Sequence, residues 1–179
     1  MPLKRKPLLI LDRDGVINKD SPDYIKSLAD WHPIPGSYEA IAKLTQAGFP
    51  IVVASNQSAL SRGLTTLAEV TAIHTHLNQA LAGMQGKILA FAICPHLPEH
   101  HCNCRKPKSG LLTQLARDFS YSADECIIIG DSARDLQAAA SFGAKAFWVQ
   151  TGNTIDCTQF PTVITAPDLH AVAMHLLKE

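Results

Sequence analysis

With 179 residues, 46% of them apolar and 18% charged, the chain has the size of one globular domain. At that length folding removes roughly 70% of the unfolded surface from water, so neither disulfide staples nor a partner is needed for a core. Sixteen basic and sixteen acidic residues cancel, which excludes the one-signed field that nucleic-acid and anionic-membrane binders use; an anionic ligand must be held locally.

The basic run Lys4-Arg5-Lys6 reads as a solvated lead-in to the first apolar segment. Leu8 to Leu11 is too short for a helix and does not alternate in polarity, the pattern of a strand buried on both faces. It ends in Asp12 and Asp14. A helix is expected over 37–47, between Pro35-Gly36 and Gly48, and a second strand from Ile51 to Ala54, ending in Ser55-Asn56. Thr66 with Glu69 gives a capping-box signature for a helix over 67–81. His74 and His76 lie on different faces of that helix and read as packing or surface residues. A third strand spans 88–93, and a helix over 110–119 carries the stripe Leu111, Leu112, Leu115 and Phe119. Strand four, Cys126 to Ile129, runs into Gly130-Asp131, and a helix over 133–142 stops at Gly143. A fifth strand over 146–149 and a last helix over 169–177 complete the series. Strands alternating with helices through right-handed crossovers give a Rossmann-like three-layer α/β/α fold on a mainly parallel sheet, one domain spanning 1–179.

Ligands of such sheets sit beyond the carboxyl ends of the strands. Asp12, Asp14 and Asp131 are expected on that rim, where three carboxylates tolerate one another when a cation or a proton shares the site, and hard oxygen ligands on an open rim suit Mg²⁺. If Asp12 attacks phosphorus, a second acid must protonate the leaving oxygen and later activate water; Asp14, two residues on along extended chain, is placed to do so. Gly15 lets the backbone turn there. Ser55 and Lys106 could supply the donors that phosphoryl transfer requires. Each of them alone also reads as an ordinary turn residue or solvated lysine.

Cys94, His96, Cys102 and Cys104 form a Cys-x-His and Cys-x-Cys pair able to close a structural zinc site in a loop at about 94–104. His100 or His101 could take the place of His96, and free thiols are the plain alternative. Zinc there would also fix Arg105 and Lys106, which follow the last ligand. Cys126 and Cys157 read as buried or inert thiols. Arg62 either meets substrate or is solvated, and Asp135 either orients the site or answers the helix dipole. No stretch approaches the ~18 apolar residues of a membrane span and no apolar leader is present, so a cytoplasmic protein is expected.

The segments LDRDGVIN (11–18), SNQS (55–58), CRKPKSG (104–110) and GDSARDLQAA (130–139) together resemble the four motifs of the haloacid dehalogenase superfamily. The resemblance covers most of the chain. It implies a phosphatase with Asp12 as nucleophile and Asp14 as general acid/base. It also implies Ser55 and Lys106 as phosphate binders, and Mg²⁺ held by Asp12, Asp131 and the Asp14 backbone carbonyl. The stretch NQSALSRG (56–63) and the segment from Cys94 to Lys106 resemble the heptose bisphosphate phosphatases within that superfamily, which lack a large cap domain. That implies a small phosphorylated sugar as partner, in lipopolysaccharide heptose synthesis, with zinc at Cys94, His96, Cys102 and Cys104. The substrate pocket would then be lined by Asp20, Ser21, Pro22, Asp23, Ser55, Asn56, Gln57, Ser58, Arg105, Lys106 and Ser132, in an enzyme acting as a monomer. Val16, Ala59 and Ser132 depart from the usual family residues. Histidinol-phosphate phosphatases share the motifs and a zinc loop, but the Asn56-Gln57-Ser58 turn with Arg62-Gly63 favours the heptose enzymes. A phospho-acceptor signalling module would use a similar rim, yet an acid/base two residues from the nucleophile would hasten loss of its phosphate.

Overall fold

The computed structural model describes residues 5–178. Six parallel strands form one sheet in the order β3-β2-β1-β4-β5-β6. They are β1 Leu8–Leu11, β2 Ile51–Asn56, β3 Ala90–Cys94, β4 Cys126–Gly130, β5 Lys145–Val149 and β6 Ile164–Ala166. Among the described residues five α-helices accompany them: α1 Ser37–Gln46, α2 Leu67–Ala82, α3 Gly110–Asp118, α4 Ala133–Phe142 and α5 Leu169–Leu176.

The unbroken apolar runs are explained by two cores, one on each face of the sheet. Leu9, Leu11, Ile51, Val53, Ile129, Phe147 and Val149 point to one side and pack with residues of α1, α2 and α5. Their neighbours Leu8, Ile10, Val52, Ala54, Ile128 and Trp148 point to the other and meet α3 and α4. Alternate residues thus face different layers, and both layers are apolar. Each fully buried Leu or Ile contributes roughly 1.5–3 kcal/mol relative to exposure. The expectation of double burial fails at β3: it lies at the sheet edge, where Ala90, Phe91 and Ile93 are half-buried. β6 was not expected. It has three residues, two of them exposed, too few to signal a strand.

Local chemistry sets the helix ends. Thr66 accepts from the Glu69 N–H at 3.2 Å, half of the expected capping box, and Asp168 caps α5 at the Ala171 N–H. The basic lead-in is pinned to the fold: Arg5 pairs with Glu125 and lies over Tyr121, and Lys6 lies over Phe49, while Lys4 is outside the described residues. Cys126 is buried as expected, with its thiol pushed up to about 11 by that burial; the Cys157 side chain is outside the described residues.

From β1 the chain steps outward through β2 to β3, then returns across β1 to β4 by way of α3. Connections from β1 and β4, which are neighbours, therefore leave in opposite directions and open a crevice at their carboxyl ends. The long β1–α1 connection folds over that crevice. Buried Asn18 pins it by accepting the His32 N–H, and Ser37 Oγ donates to the Ile17 carbonyl.

Candidate active site

Lys106 stands at the centre of the crevice and is almost wholly buried. Asn56, at the end of β2, grips its backbone from both sides: Asn56 Nδ2 donates to the Lys106 carbonyl and the Lys106 N–H donates to Asn56 Oδ1, both at 3.0 Å. The ammonium then spends its three donors inside the protein, on the Ala54 carbonyl at 2.7 Å, Asp12 Oδ2 at 3.1 Å and Asp135 Oδ1 at 2.6 Å. Burial works against its charge, but Asp12 and Asp135 outweigh that and hold its pKa above the ordinary lysine value.

The acidic residues respond in the opposite sense. Burial pushes Asp12 up to about 7 despite Lys106, with the charges of Asp135, Asp131 and Asp14 adding to the rise. Asp131, after β4, is raised to about 6 by burial and Asp135, although Asn153 donates to its Oδ2 from the backbone at 3.1 Å and from Nδ2 at 2.7 Å. Carboxylate oxygens of Asp12, Asp131 and Asp135 all lie within 4.8 Å of one another. Backbone is packed closely around this cluster: a Cβ at Gly15 or at Gly152 would overlap the Asp131 carboxylate, and Gly15 also has φ +85°.

Asp14 belongs to a second network. Its carboxylate accepts from Arg13 Nε at 3.0 Å, Arg13 Nη2 at 2.8 Å and Gln57 Nε2 at 3.0 Å. Gln57 Nε2 also donates to Ser55 Oγ at 2.8 Å. The Asp14 side chain is therefore not in the carboxylate cluster, where Asp135 stands instead. Asp135 accepts from the backbone and hydroxyl of Ser132 as well as from Lys106, so it orients the site as well as opening α4.

These residues surround a cavity of about 260 Å³. Asp12, Asp14, Asp131, Ser55, Asn56, Gln57, Ser58, Arg105, Lys106 and Ser132 line it, as do Asp20, Ser21 and Pro22 from the β1–α1 connection. Asp23 does not; its backbone N–H turns back to Ser21 Oγ. Arg62 and Arg134 add cations at the mouth, Arg62 with Tyr24 beneath it at 5.9 Å. Sequence reasoning passed over Arg13, Tyr24, Arg134 and Asn153. Asn153 follows β5, so the strand-end rule, applied to that strand too, would have found it.

Beside the cavity, Cys94, His96, Cys102 and Cys104 converge, their ligand atoms all within 4.8 Å. His96 Nδ1 lies 3.5 Å from Cys94 Sγ and 3.3 Å from Cys104 Sγ, and the three sulfurs are 3.3 to 3.7 Å apart. A tetrahedron with Zn–S near 2.3 Å and Zn–N near 2.0 Å has edges of about 3.5–3.8 Å, so the set fits that ion. His100 and His101 are outside it; His100 turns its edge to the His96 ring, and His101 is exposed. Burial pushes Cys94 up to about 12. Cys102 is brought down to about 6: burial opposes this, but the Arg105 N–H and the neighbouring thiols outweigh it. Arg105 Nη1 donates to the His96 carbonyl at 3.0 Å, tying the cavity wall to this loop.

A parallel sheet of this order, with acids after its first and fourth strands and a buried lysine between them, defines a haloacid-dehalogenase-like hydrolase, and a HAD-hydrolase-like family model matches residues 103–172. The chain is 46% identical to the D-glycero-β-D-manno-heptose-1,7-bisphosphate 7-phosphatase of Bordetella bronchiseptica, over 96% of this chain and 98% of that protein. It is 43% identical to the same-named protein of Pseudomonas putida, over 95% and 99%. The crystal structure of the D,D-heptose 1,7-bisphosphate phosphatase from B. bronchiseptica, complexed with magnesium and phosphate, superposes with a TM-score of 0.90 at 43% identity, covering 96% of this chain and 98% of that one. The chain belongs to the D-glycero-D-manno-heptose-1,7-bisphosphate 7-phosphatase family.

Proposed function

We infer that the protein removes the 7-phosphate of D-glycero-D-manno-heptose 1,7-bisphosphate, leaving heptose 1-phosphate, within lipopolysaccharide heptose synthesis. Family membership supports the substrate, and one observation carries the chemistry: the Asp12 carboxylate faces the cavity against Lys106 while Asp14, two residues on, lines the same cavity from a separate network. Nucleophile and acid/base are thus held apart, each by its own partners.

In this reading an Asp12 oxygen attacks phosphorus as the bond to the sugar oxygen breaks, and Asp14 gives its proton to that oxygen. Asp14 then takes a proton from the water that attacks the aspartyl phosphate, which returns Asp12 and releases inorganic phosphate. Ser55 aims its hydroxyl at the phosphoryl oxygens, and Lys106, whose donors are met by Ala54, Asp12 and Asp135, sets its positive charge beside them. Asn56, Gln57, Ser58, Arg105 and Ser132, with Asp20, Ser21 and Pro22, receive the sugar. The acidic cluster and its glycine cradle fit Mg²⁺, held by Asp12, Asp131 and the Asp14 backbone carbonyl; Asp135 is spent on Lys106 and Ser132. When bound, Mg²⁺ offsets the charge that builds on the transferring group and the rim. Zinc at Cys94, His96, Cys102 and Cys104 would be structural, fixing the loop that carries Arg105 and Lys106.

We read the protein as a single-domain, monomeric enzyme of the cytoplasm: each face of the sheet is covered by the chain's own helices. Among the described residues no helix is long and apolar enough to cross a membrane. Phosphate release from heptose 1,7-bisphosphate and from histidinol phosphate, with and without Mg²⁺, tests the assignment. Mg²⁺-dependent turnover of the heptose substrate well above histidinol phosphate is expected. Equal rates on the two would remove the substrate, and a single phosphorylation without release would favour a signalling module.

A further inference from the structure

Arg13 has no exposed surface, and this large cationic side chain lies directly beneath the cavity. Two of its donors go to one carboxylate in a bidentate fork, Nε to Asp14 Oδ1 at 3.0 Å and Nη2 to Asp14 Oδ2 at 2.8 Å. Nη2 also donates to Gln57 Oε1 at 3.0 Å, and the Gln57 amide closes the ring by donating to Asp14 Oδ2 and to Ser55 Oγ. The Trp31 ring lies 5.8 Å away. A planar fork of this kind fixes the plane of a carboxylate, which a point charge such as lysine does not.

The surroundings set what Arg13 can do. Full burial keeps its guanidinium from touching anything in the cavity, whereas Asp14 retains 18% of its side-chain surface and forms part of the wall. Arg13 therefore acts through Asp14. His74, near enough to feel the Arg13 charge, is stacked on Phe91 with ring centroids 4.0 Å apart and planes 8° from parallel. Burial first, and then the Arg13 charge, bring His74 down to about 4. Among the described residues, Arg13 Nη1 and His74 Nε2 are the two buried side-chain atoms without a hydrogen-bond partner. A buried charge with one donor unused is costly for stability alone.

We propose that Arg13 is a positioning residue for the reaction: with Gln57 it holds the Asp14 carboxylate at the angle from which it exchanges protons with the leaving oxygen and then with water. The proposal rests on the reading of Asp14 as acid/base. Arg13 keeps its own protons throughout and takes no part in the bonds made and broken at phosphorus.

The test is a double-mutant cycle between Arg13→Lys and Asp14→Asn, read as kcat and KM for phosphate release from heptose 1,7-bisphosphate, with circular dichroism reporting that each variant is folded. Misplacing a reacting group by about 1 Å costs on the order of 10²-fold, so Arg13→Lys should lower kcat by about 30-fold with KM within about threefold. Asp14→Asn should lower kcat by about 10²-fold or more, and adding Arg13→Lys to it should then cost less than about threefold. If the 30-fold loss persists in the Asp14→Asn background, or falls on KM instead of kcat, the positioning role is overturned while the acid/base reading stands. Full activity of Asp14→Asn would overturn both. Arg13→Gln, which buries no charge, is measured in the same cycle should the lysine variant not fold.

Discussion

Replacing Asp135 by asparagine keeps the shape of the side chain and removes the charge that holds Lys106. The carboxylate accepts three bonds, from Lys106 Nζ at 2.6 Å, the Ser132 N–H at 3.1 Å and the Ser132 hydroxyl at 2.6 Å. An amide has one acceptor oxygen, so an NH₂ must face at least one of those donors. Breaking a buried ion pair by neutralising one partner costs about 3–5 kcal/mol, and the lower end applies because Lys106 keeps Asp12 and the Ala54 carbonyl. For a domain of this length about 3 kcal/mol lowers Tm by roughly 6–12 °C. Calorimetry without added divalent cation measures the shift. Asp118→Asn, at an exposed pair with Arg117, is the control and should move Tm by no more than about 2 °C. An Asp135→Asn protein melting with the control would refute the claim that Lys106 depends on both carboxylates.

Asp12 is raised to about 7 in the fold, above its unfolded range, so the stability linked to its proton is present at low pH and is lost as pH rises through about 7. His74, held down to about 4, gives an opposite trend below its unfolded value; the cleaner comparison is therefore wild type against Asp12→Asn. Without divalent cation the wild type should lose stability relative to that variant from pH 5 to pH 8, and parallel melting profiles would count against it. Gly15→Ala places a methyl group on the Asp131 carboxylate at a left-handed backbone position. Its kcat should fall by about 10²-fold or more with weaker Mg²⁺ dependence, as a steady-state titration would show. Metal analysis should find one zinc per chain, absent from a Cys102→Ser, Cys104→Ser variant, with kcat reduced because Arg105 is tied to the His96 carbonyl of that loop.

Much of this arrangement is visible in the sequence because parallel strands advertise themselves. Leu8 to Leu11 and Cys126 to Ile129 are apolar on both faces, and the polar residues that end such runs are those the topology delivers to one rim. β3 shares that pattern although it lies at an edge, since an apolar run does not record how many neighbours a strand has. β6 is exposed at two of three residues and leaves no periodic trace. The zinc-type cluster follows from ligand spacing, but the choice of His96 over His100 and His101 depends on a loop path that spacing does not fix. Asp135 shows in sequence only as an acid in the first turn of a helix, and its reach to Lys106 appears once α4 is placed beside β4. Arg13 is concealed further. An arginine between two aspartates gives no sign in sequence of the Trp31 ring and the Gln57 amide, from two separate segments, that close around it.

The proposed reaction requires Asp12 to become phosphorylated. Acid quenching the protein during turnover of heptose bisphosphate labelled at the 7-phosphate, followed by peptide mapping, examines that directly. The label should sit on the peptide that contains Asp12, and Asp12→Asn should carry none and release no phosphate. Label on another residue, or turnover by Asp12→Asn at the wild-type rate, would contradict it.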